Sequence, residues 1–575
     1  MKVKLAKHAG FCWGVRRAVN MVLEAVHRGK PNLFTYGPLI HNPQVIGLLK
    51  DLGVGIITNP SEVTSNTNLF IRSHGVSPQE REELKSRGAT IHDATCPLVE
   101  VVQKTIGRFS QAGYRTIIVG EPGHPEVSAL LGFAQGRGIA VSRKDQVESS
   151  PPWERVCVVA QTTQERKTFW ELAQMAKTKY QICTVFDTIC PATLKRQDGV
   201  RKILPKVEAI VVVGGRNSAN TARLAQISRS LGKLTLQVET EEEIKREKLG
   251  KLRTIGITAG ASTPNWMIQR VVEKVENLDR GGGLRGLFFR GIRFLIRSNL
   301  YLAFGVGCFS YAVSHLQGME PRLAFLLVAS GYVFSMHLFN HYTDPSPATF
   351  NEPYRISFYR RHKGTLLGLA FIALAGSLAL SLNLGFLPFL LLAFISLTGA
   401  IYRLKIIPPT WSLFPYRRLV DIPGSKDLFL ALAWSLVIAA LQGLSRGNNL
   451  SPAFGVAFGF TFILSLVRSS LFSLKDIQGD RIVGRETLPI ILGKRKTKLL
   501  LIVILTGLTL ILPLSWIWGW TSSLGLWLLL PVAYAYFYLF LYHRRVIFQG
   551  ILSEAVVDTD FILSGATAYL WSVLH

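Results

Sequence analysis

Hydropathy divides this chain in two, and that division limits what it can fold into. Before about residue 296 no apolar run is long enough to cross a bilayer; after it such runs are nearly continuous. A spanning helix needs about 20 apolar residues. Roughly nine stretches qualify, around 298–316, 321–341, 364–383, 386–402, 426–444, 452–474, 498–518, 524–541 and 558–574. Connections after the even-numbered stretches carry the basic residues: Arg355, Arg360, Arg361 and Lys363; Arg403, Lys405, Arg417, Arg418 and Lys426; Lys475, Arg481, Arg485, Lys494, Arg495 and Lys496; Arg544 and Arg545. Connections after odd stretches hold Arg322 and Arg446 as the exceptions. Lys and Arg collect on the cytoplasmic side, so nine spans with a cytoplasmic N-terminal region are expected in the inner membrane.

The formal net charge of +28 then belongs partly to membrane flanks. In a soluble protein it would suggest nucleic acid, but no zinc-finger or stacking-aromatic pattern accompanies it, and no nucleic-acid partner is expected. Six cysteines in 575 residues are no disulfide framework. The opening Met1-Lys2-Val3-Lys4-Leu5-Ala6 lacks a signal-peptide core.

The first half alternates short β-rich runs with amphipathic helical patterns. Thr116–Gly120, Val156–Ala160, Ala209–Gly214 and Thr254–Thr258 show no polar alternation, which suits parallel strands covered on both faces. Functional residues in such sheets gather past the carboxyl ends of strands. His124, Glu126, Thr162, Ser218, Asn220 and Ser262 all fall there. Ser218, Asn220 and Ser262, with His41 and His74, are hydrogen-bond donors suited to diphosphate oxygens, and helix N-termini add backbone N–H groups.

Three cysteines share a setting. Cys96 lies in Asp93-Ala94-Thr95-Cys96-Pro97, Cys190 in Asp187-Thr188-Ile189-Cys190-Pro191, and Cys12 in Gly10-Phe11-Cys12-Trp13-Gly14. The spacing predicts three repeats of one α/β unit, each offering one thiolate. Three thiolates can hold a [4Fe–4S] cluster and leave one iron open; the bland alternative is three buried small hydrophobes. Cys157 and Cys183 read as structural thiols.

With Gly37-Pro38-Leu39-Ile40-His41-Asn42, Arg72-Ser73-His74-Gly75, Gly123-His124-Pro125-Glu126, Gln161-Thr162-Thr163, Asn217-Ser218-Ala219-Asn220 and Ala259-Gly260-Ala261-Ser262-Thr263-Pro264, these turns make residues 1–278 resemble the 4-hydroxy-3-methylbut-2-enyl diphosphate (HMBPP) reductases, the IspH/LytB family. The resemblance implies a pseudo-threefold α/β fold with Cys12, Cys96 and Cys190 on a [4Fe–4S] cluster. It implies HMBPP as substrate, isopentenyl and dimethylallyl diphosphate as products, and ferredoxin or flavodoxin as electron donor. Glu126 and Thr162 would relay protons, and His124 would orient or donate. His41, His74, His124, Thr162, Ser218, Asn220 and Ser262 would bind the substrate. Ala219 replaces a serine usual in the family, which removes a phosphate hydrogen bond of about 1 kcal/mol.

Residues 279–295 read as a basic Gly/Arg linker, and 296–575 as the membrane domain. There Asp476 and Asp480 stand one helical turn apart, a spacing that can hold Mg²⁺ against a diphosphate. The segment Lys475–Pro489 resembles the second aspartate motif of UbiA-type prenyltransferases. Asn340, Asp344 and the Asn351-Glu352-Pro353-Tyr354-Arg355 run resemble the first, with His341 and Ala348 where that family has Asp; Tyr402, Arg403 and Lys405 resemble its basic loop. The resemblance implies Mg²⁺-dependent binding of a prenyl diphosphate, with a lipophilic acceptor. The competing reading is an inactive anchor or lipid-binding scaffold.

Overall fold

The computed structural model describes residues 1–575 except 251, 279–283, 344–345, 403, 405–417, 448–450 and 545–551, with backbone alone at 284–286, 289, 346–348, 353–354 and 552. The chain divides into two compact units, Met1–Asp279 and Arg280–His575.

The first unit contains twelve strands: β1 (Lys2–Leu5), β2 (Leu33–Tyr36), β3 (Gly55–Ile57), β4 (Asn68–Ile71), β5 (Thr90–Asp93), β6 (Arg115–Val119), β7 (Gly138–Val141), β8 (Arg155–Ala160), β9 (Ile182–Phe186), β10 (Ala209–Val213), β11 (Leu234–Val238) and β12 (Thr254–Ala259). They form three four-stranded parallel sheets, ordered β3-β2-β4-β5, β7-β6-β8-β9 and β11-β10-β12-β1. The order is the same each time, except that the chain's first strand closes the third sheet. The expected three-unit α/β fold is therefore present. The four apolar runs singled out are β6, β8, β10 and β12.

Alternate residues of β6 and β8 enter separate cores. Ile117, Val119, Val156 and Val158 pack with Phe169 and Leu172 on one face. Ile118, Cys157 and Val159 pack with Ile106, Val127 and Leu130 on the other. Each fully buried Val or Ile contributes about 1.5–3 kcal/mol, which accounts for unbroken apolar runs. Cys157 is fully buried there, and burial, then Cys183, pushes its thiol up to about 12. Such a thiol is inert.

In the second unit each expected span has its helix. Among the described residues six are long and apolar enough to cross a membrane: Leu323–Thr343, Lys363–Leu384, Ser425–Ser445, Pro452–Val483, Gly493–Ile517 and Leu524–Arg544. A seventh results if Arg290–Arg297 and Leu300–Leu316, bent by 73°, count as one span. The remaining two differ from expectation. Phe386–Ile401 is apolar but only 16 residues long, and Leu552–Leu574 carries Glu554, Asp558 and Asp560. The linker also differs, because Leu284–Arg297 is helical. Its apolar residues recur at helical spacing, leaving Leu287, Phe288, Phe294 and Leu295 exposed. The bend falls at Asn299, left-handed at φ 63°. The Ile296 carbonyl there accepts from the Asn299 N–H (3.2 Å) and from Arg355 Nη2 (3.0 Å), and Asn299 Nδ2 donates to the Tyr359 hydroxyl (2.8 Å).

Candidate active site and membrane cavity

Each unit of the first domain delivers its cysteine at an equivalent place. Cys96, Cys190 and Cys12 follow the fourth strand of their sheets and cap the helices Pro97–Gln111, Pro191–Ile203 and Trp13–His27. The repeated Asp sets the turn: Asp93 accepts from Thr95 N–H (2.9 Å) and Asp187 from Ile189 N–H (3.3 Å). Proline then starts the helix, where no N–H is needed. Gly14 lets two units approach, since a Cβ there would lie 2.5 Å from Cys96 Sγ. The three sulfurs line one pocket of about 90 Å³. Burial raises the Cys96 thiol, and Cys12 and Cys190 add to the shift, against hydrogen bonds from backbone N–H groups that lower it. Positive helix ends and a cationic centre are what three such thiolates require. The donor set fits a three-cysteine iron–sulfur cluster.

The opposite wall comes from the first- and third-strand loops. His41, His74 and His124 form a triangle with ring centroids 4.6, 5.3 and 5.4 Å apart. Burial, then neighbouring histidines and Arg72, pulls His74 well below its usual range; burial, His41 and Arg72 pull His124 down to about 4. Burial and Arg72 also lower His41. The rings are therefore neutral in a positive field. One nitrogen of each lies within 4.8 Å of the others, close enough for a metal, but the Arg72 field favours an anion.

His124 caps Pro125–Phe133, its Nδ1 accepting from Glu126 N–H (3.1 Å), so its proton is on Nε2. Glu126 is 1% exposed and accepts from Thr162 N–H (2.7 Å) and Thr162 Oγ1 (2.9 Å). Burial raises its carboxyl, while the Thr162 bonds pull it back. Ser262 Oγ donates to the His41 carbonyl (2.9 Å), and Ser218 caps Ala219–Ser230. Both amide atoms of Asn220, with His41 Nε2 and His74 Nδ1, are buried with no partner among the described residues. Orphans of this kind imply an absent ligand. All eight expected residues (His41, His74, His124, Glu126, Thr162, Ser218, Asn220, Ser262) line the pocket of the three cysteines.

The second unit holds a cavity of about 450 Å³. Tyr332, Met336, Phe394, Phe429 and Trp434 make it apolar toward the middle of the helices; Asn340, His341, Lys426, Lys475, Asp476 and Glu554 make it polar toward their ends. Asp480 is fully buried and outside this lining. Its carboxylate accepts from Asn351 Nδ2 (3.0 Å) and pairs with Lys426 Nζ (3.1 Å). Asp344, Arg403 and Lys405 lie outside the described residues.

Residues 3–276 match the LytB protein family. The 4-hydroxy-3-methylbut-2-enyl diphosphate reductase of Opitutus terrae is 42% identical over 289 residues, 48% of this chain and all of that protein. The chain belongs to the LytB family. Residues 300–550 form a UbiA prenyltransferase family domain, and with its apolar helices this makes the chain a multi-pass membrane protein. Solved structures resemble each half. One is an (E)-4-hydroxy-3-methyl-but-2-enyl diphosphate reductase, 38% identical with TM-score 0.39, covering 48% of this chain and 100% of that one. Another is a UbiA homolog from Archaeoglobus fulgidus bound to GPP and Mg²⁺, 17% identical with TM-score 0.36, covering 48% and 99%.

The LytB half contains residues that sequence reasoning did not assign. Arg72 polarises the histidine triangle. Arg196, 4% exposed, lines the pocket and donates to the Gly10 (2.6 Å) and Ala192 (3.0 Å) carbonyls. It ties the Cys12 loop to the Cys190 helix. Its position six residues after Cys190 carries no motif. In the UbiA half, Asp427 was also missed: fully buried, it accepts from Ser469 (2.7 Å), Ser473 (2.8 Å) and Leu488 N–H (3.2 Å).

The residues expected at Mg²⁺ are described only in part, because Asp344 is not among the described residues. Of Asp476 and Asp480, only Asp476 reaches the cavity. Glu352 pairs with Arg355 (2.7 Å), and His341 packs its ring 4.0 Å from that of Tyr359.

Proposed function

We propose that residues 1–278 reduce 4-hydroxy-3-methylbut-2-enyl diphosphate to isopentenyl and dimethylallyl diphosphate. The reaction consumes two electrons and two protons and releases the C4 hydroxyl as water. The observation that carries this reading is three capping cysteines and a neutral, orphaned donor set facing one pocket. A [4Fe–4S] cluster on Cys12, Cys96 and Cys190 would supply the electrons, drawn from ferredoxin or flavodoxin, and a Lewis-acidic iron. His41, His74, Ser218, Asn220 and Ser262 hold the diphosphate in the positive field of Arg72. Glu126, whose carboxyl burial raises, delivers a proton, and Thr162 fixes its carboxyl and passes protons along. His124 offers Nε2–H to the substrate. With the diphosphate seated, the small pocket leaves little room for water, so these charges act in a low dielectric.

Residues 296–575 would sit in the cytoplasmic membrane with the LytB half on the cytoplasmic side, from the placement of Lys and Arg. The amphipathic cavity supports binding of a prenyl diphosphate there, its head among the charged residues and its tail along the aromatic wall. Anaerobic reconstitution followed by dithionite-driven reduction of HMBPP tests the first reading. Isopentenyl and dimethylallyl diphosphate are the expected products; none from iron-loaded protein would reject it.

A further inference from the structure

The two family matches end at residue 276 and begin at residue 300, and between them stands a helix that belongs to neither, Leu284–Arg297. It holds four arginines, Arg285, Arg290, Arg293 and Arg297, and no acidic residue. At 3.6 residues per turn, Leu287, Phe288, Phe294 and Leu295 share an arc of about 120°, and Arg290, Arg293 and Arg297 share a separate arc of about 60°. Ile292 and Ile296 lie between the two arcs. Ile296 is buried and packs with Ile292, Tyr301 and Ala555. The helix therefore has one face for the protein, one basic face and one apolar face. Nothing among the described residues covers the last, whose four side chains are 41–65% exposed. Arg290 is exposed, and Arg293 and Arg297 are half-buried.

The bend decides what that apolar face meets. Leu300–Leu316 has 17 residues, so at 1.5 Å per residue it covers about 25 Å, most of the hydrocarbon thickness of a bilayer. The linker helix leaves it at 73°, which lays it nearly in the membrane plane. Two hydrogen bonds hold the bend, from Asn299 Nδ2 to the Tyr359 hydroxyl and from Arg355 Nη2 to the Ile296 carbonyl. Arg355 is itself anchored on Glu554 (2.5 Å). An apolar arc toward acyl chains with a basic face toward headgroups is the pattern of an interfacial helix. Arginines at that depth are drawn to anionic lipid. A second copy of this chain is a poor occupant, because at +28 each the copies repel. We propose that Leu284–Arg297 lies in the membrane interface and binds anionic phospholipid headgroups through Arg290, Arg293 and Arg297.

The test is amide hydrogen exchange, read by mass spectrometry, on full-length protein in two kinds of nanodisc. One is phosphatidylcholine alone, and the other contains roughly one third phosphatidylglycerol. Amides of residues 287–297 should exchange about tenfold more slowly in the anionic discs. Arg290→Gln combined with Arg293→Gln should bring the two compositions within about twofold of each other. Exchange of β6 and β8 as in the wild type would show that this variant is folded. Equal exchange of 287–297 in the two compositions overturns the proposal: equally fast means an undocked helix, and equally slow means a helix covered by protein or sunk in a broken span. A phosphatidylglycerol effect that persists undiminished in the arginine variant overturns it as well.

Discussion

At the scale of single residues the six cysteines separate by position. Cys12, Cys96 and Cys190 cap helices at one pocket, while Cys157 lies in a strand with its thiol pushed up to about 12. Serine at any of the first three should lower the iron content and visible absorbance of anaerobically reconstituted protein. Serine at Cys157, Cys183 or Cys308 should leave both unchanged. Glu126→Gln keeps shape and hydrogen bonding but removes the proton, so kcat should fall about 10²-fold with little change in substrate binding. The Glu126 carboxyl is raised by burial, and its acid form is the active one. Turnover should therefore decline as pH rises through that raised pKa, and this limb should vanish in the Gln variant. Ser218→Ala should weaken binding instead, because a phosphate donor acts in ground and transition states alike.

At the scale of elements, both domains place chemistry at helix ends. The three cysteines, His124 and Ser218 are all N-caps, so donors and positive dipole ends point into one pocket. The spacing between the Cys12 and Cys96 helices is set by Gly14. Gly14→Ala should displace Cys96 and reduce cluster loading while the melting temperature of the cluster-free protein shifts little. Iron content equal to wild type would show that the two helices can part without cost. In the UbiA half, Leu436–Ala440 is a π-helical turn within Ser425–Ser445. Such turns open the backbone ladder locally; this one follows Phe429, Ala433 and Trp434, which line the cavity.

At the scale of the molecule, Met1–Asp279 contains all three sheets and the complete pocket. A chain ending at residue 278 should therefore express in soluble form, load iron and turn over HMBPP at a rate comparable to the whole protein. Soluble aggregates or an iron-free product from that fragment would show that the first domain depends on the second. The membrane half cannot be treated the same way, because a bilayer or detergent must cover its exposed apolar residues, Phe371, Ile372 and Phe394 among them.

The sequence by itself determined what depends on local pattern. Hydropathy separated the domains, the Asp-x-x-Cys-Pro turns marked two cysteines and the repeat, and unbroken apolar runs marked β6, β8, β10 and β12. Only the tertiary structure decided which charges face each other. Arg196 reaches the Gly10 carbonyl and Arg72 acts on the His124 ring, both far away in sequence, and no spacing encodes that. The membrane half shows the limit most clearly. Asp476 and Asp480 are one turn apart and look equivalent on a helix wheel. Yet Gly479 leaves room for Asn351, which with Lys426 closes over Asp480 and leaves Asp476 alone at the cavity. A carboxylate's availability is set by the cation packed against it, and that cation arrives from another helix.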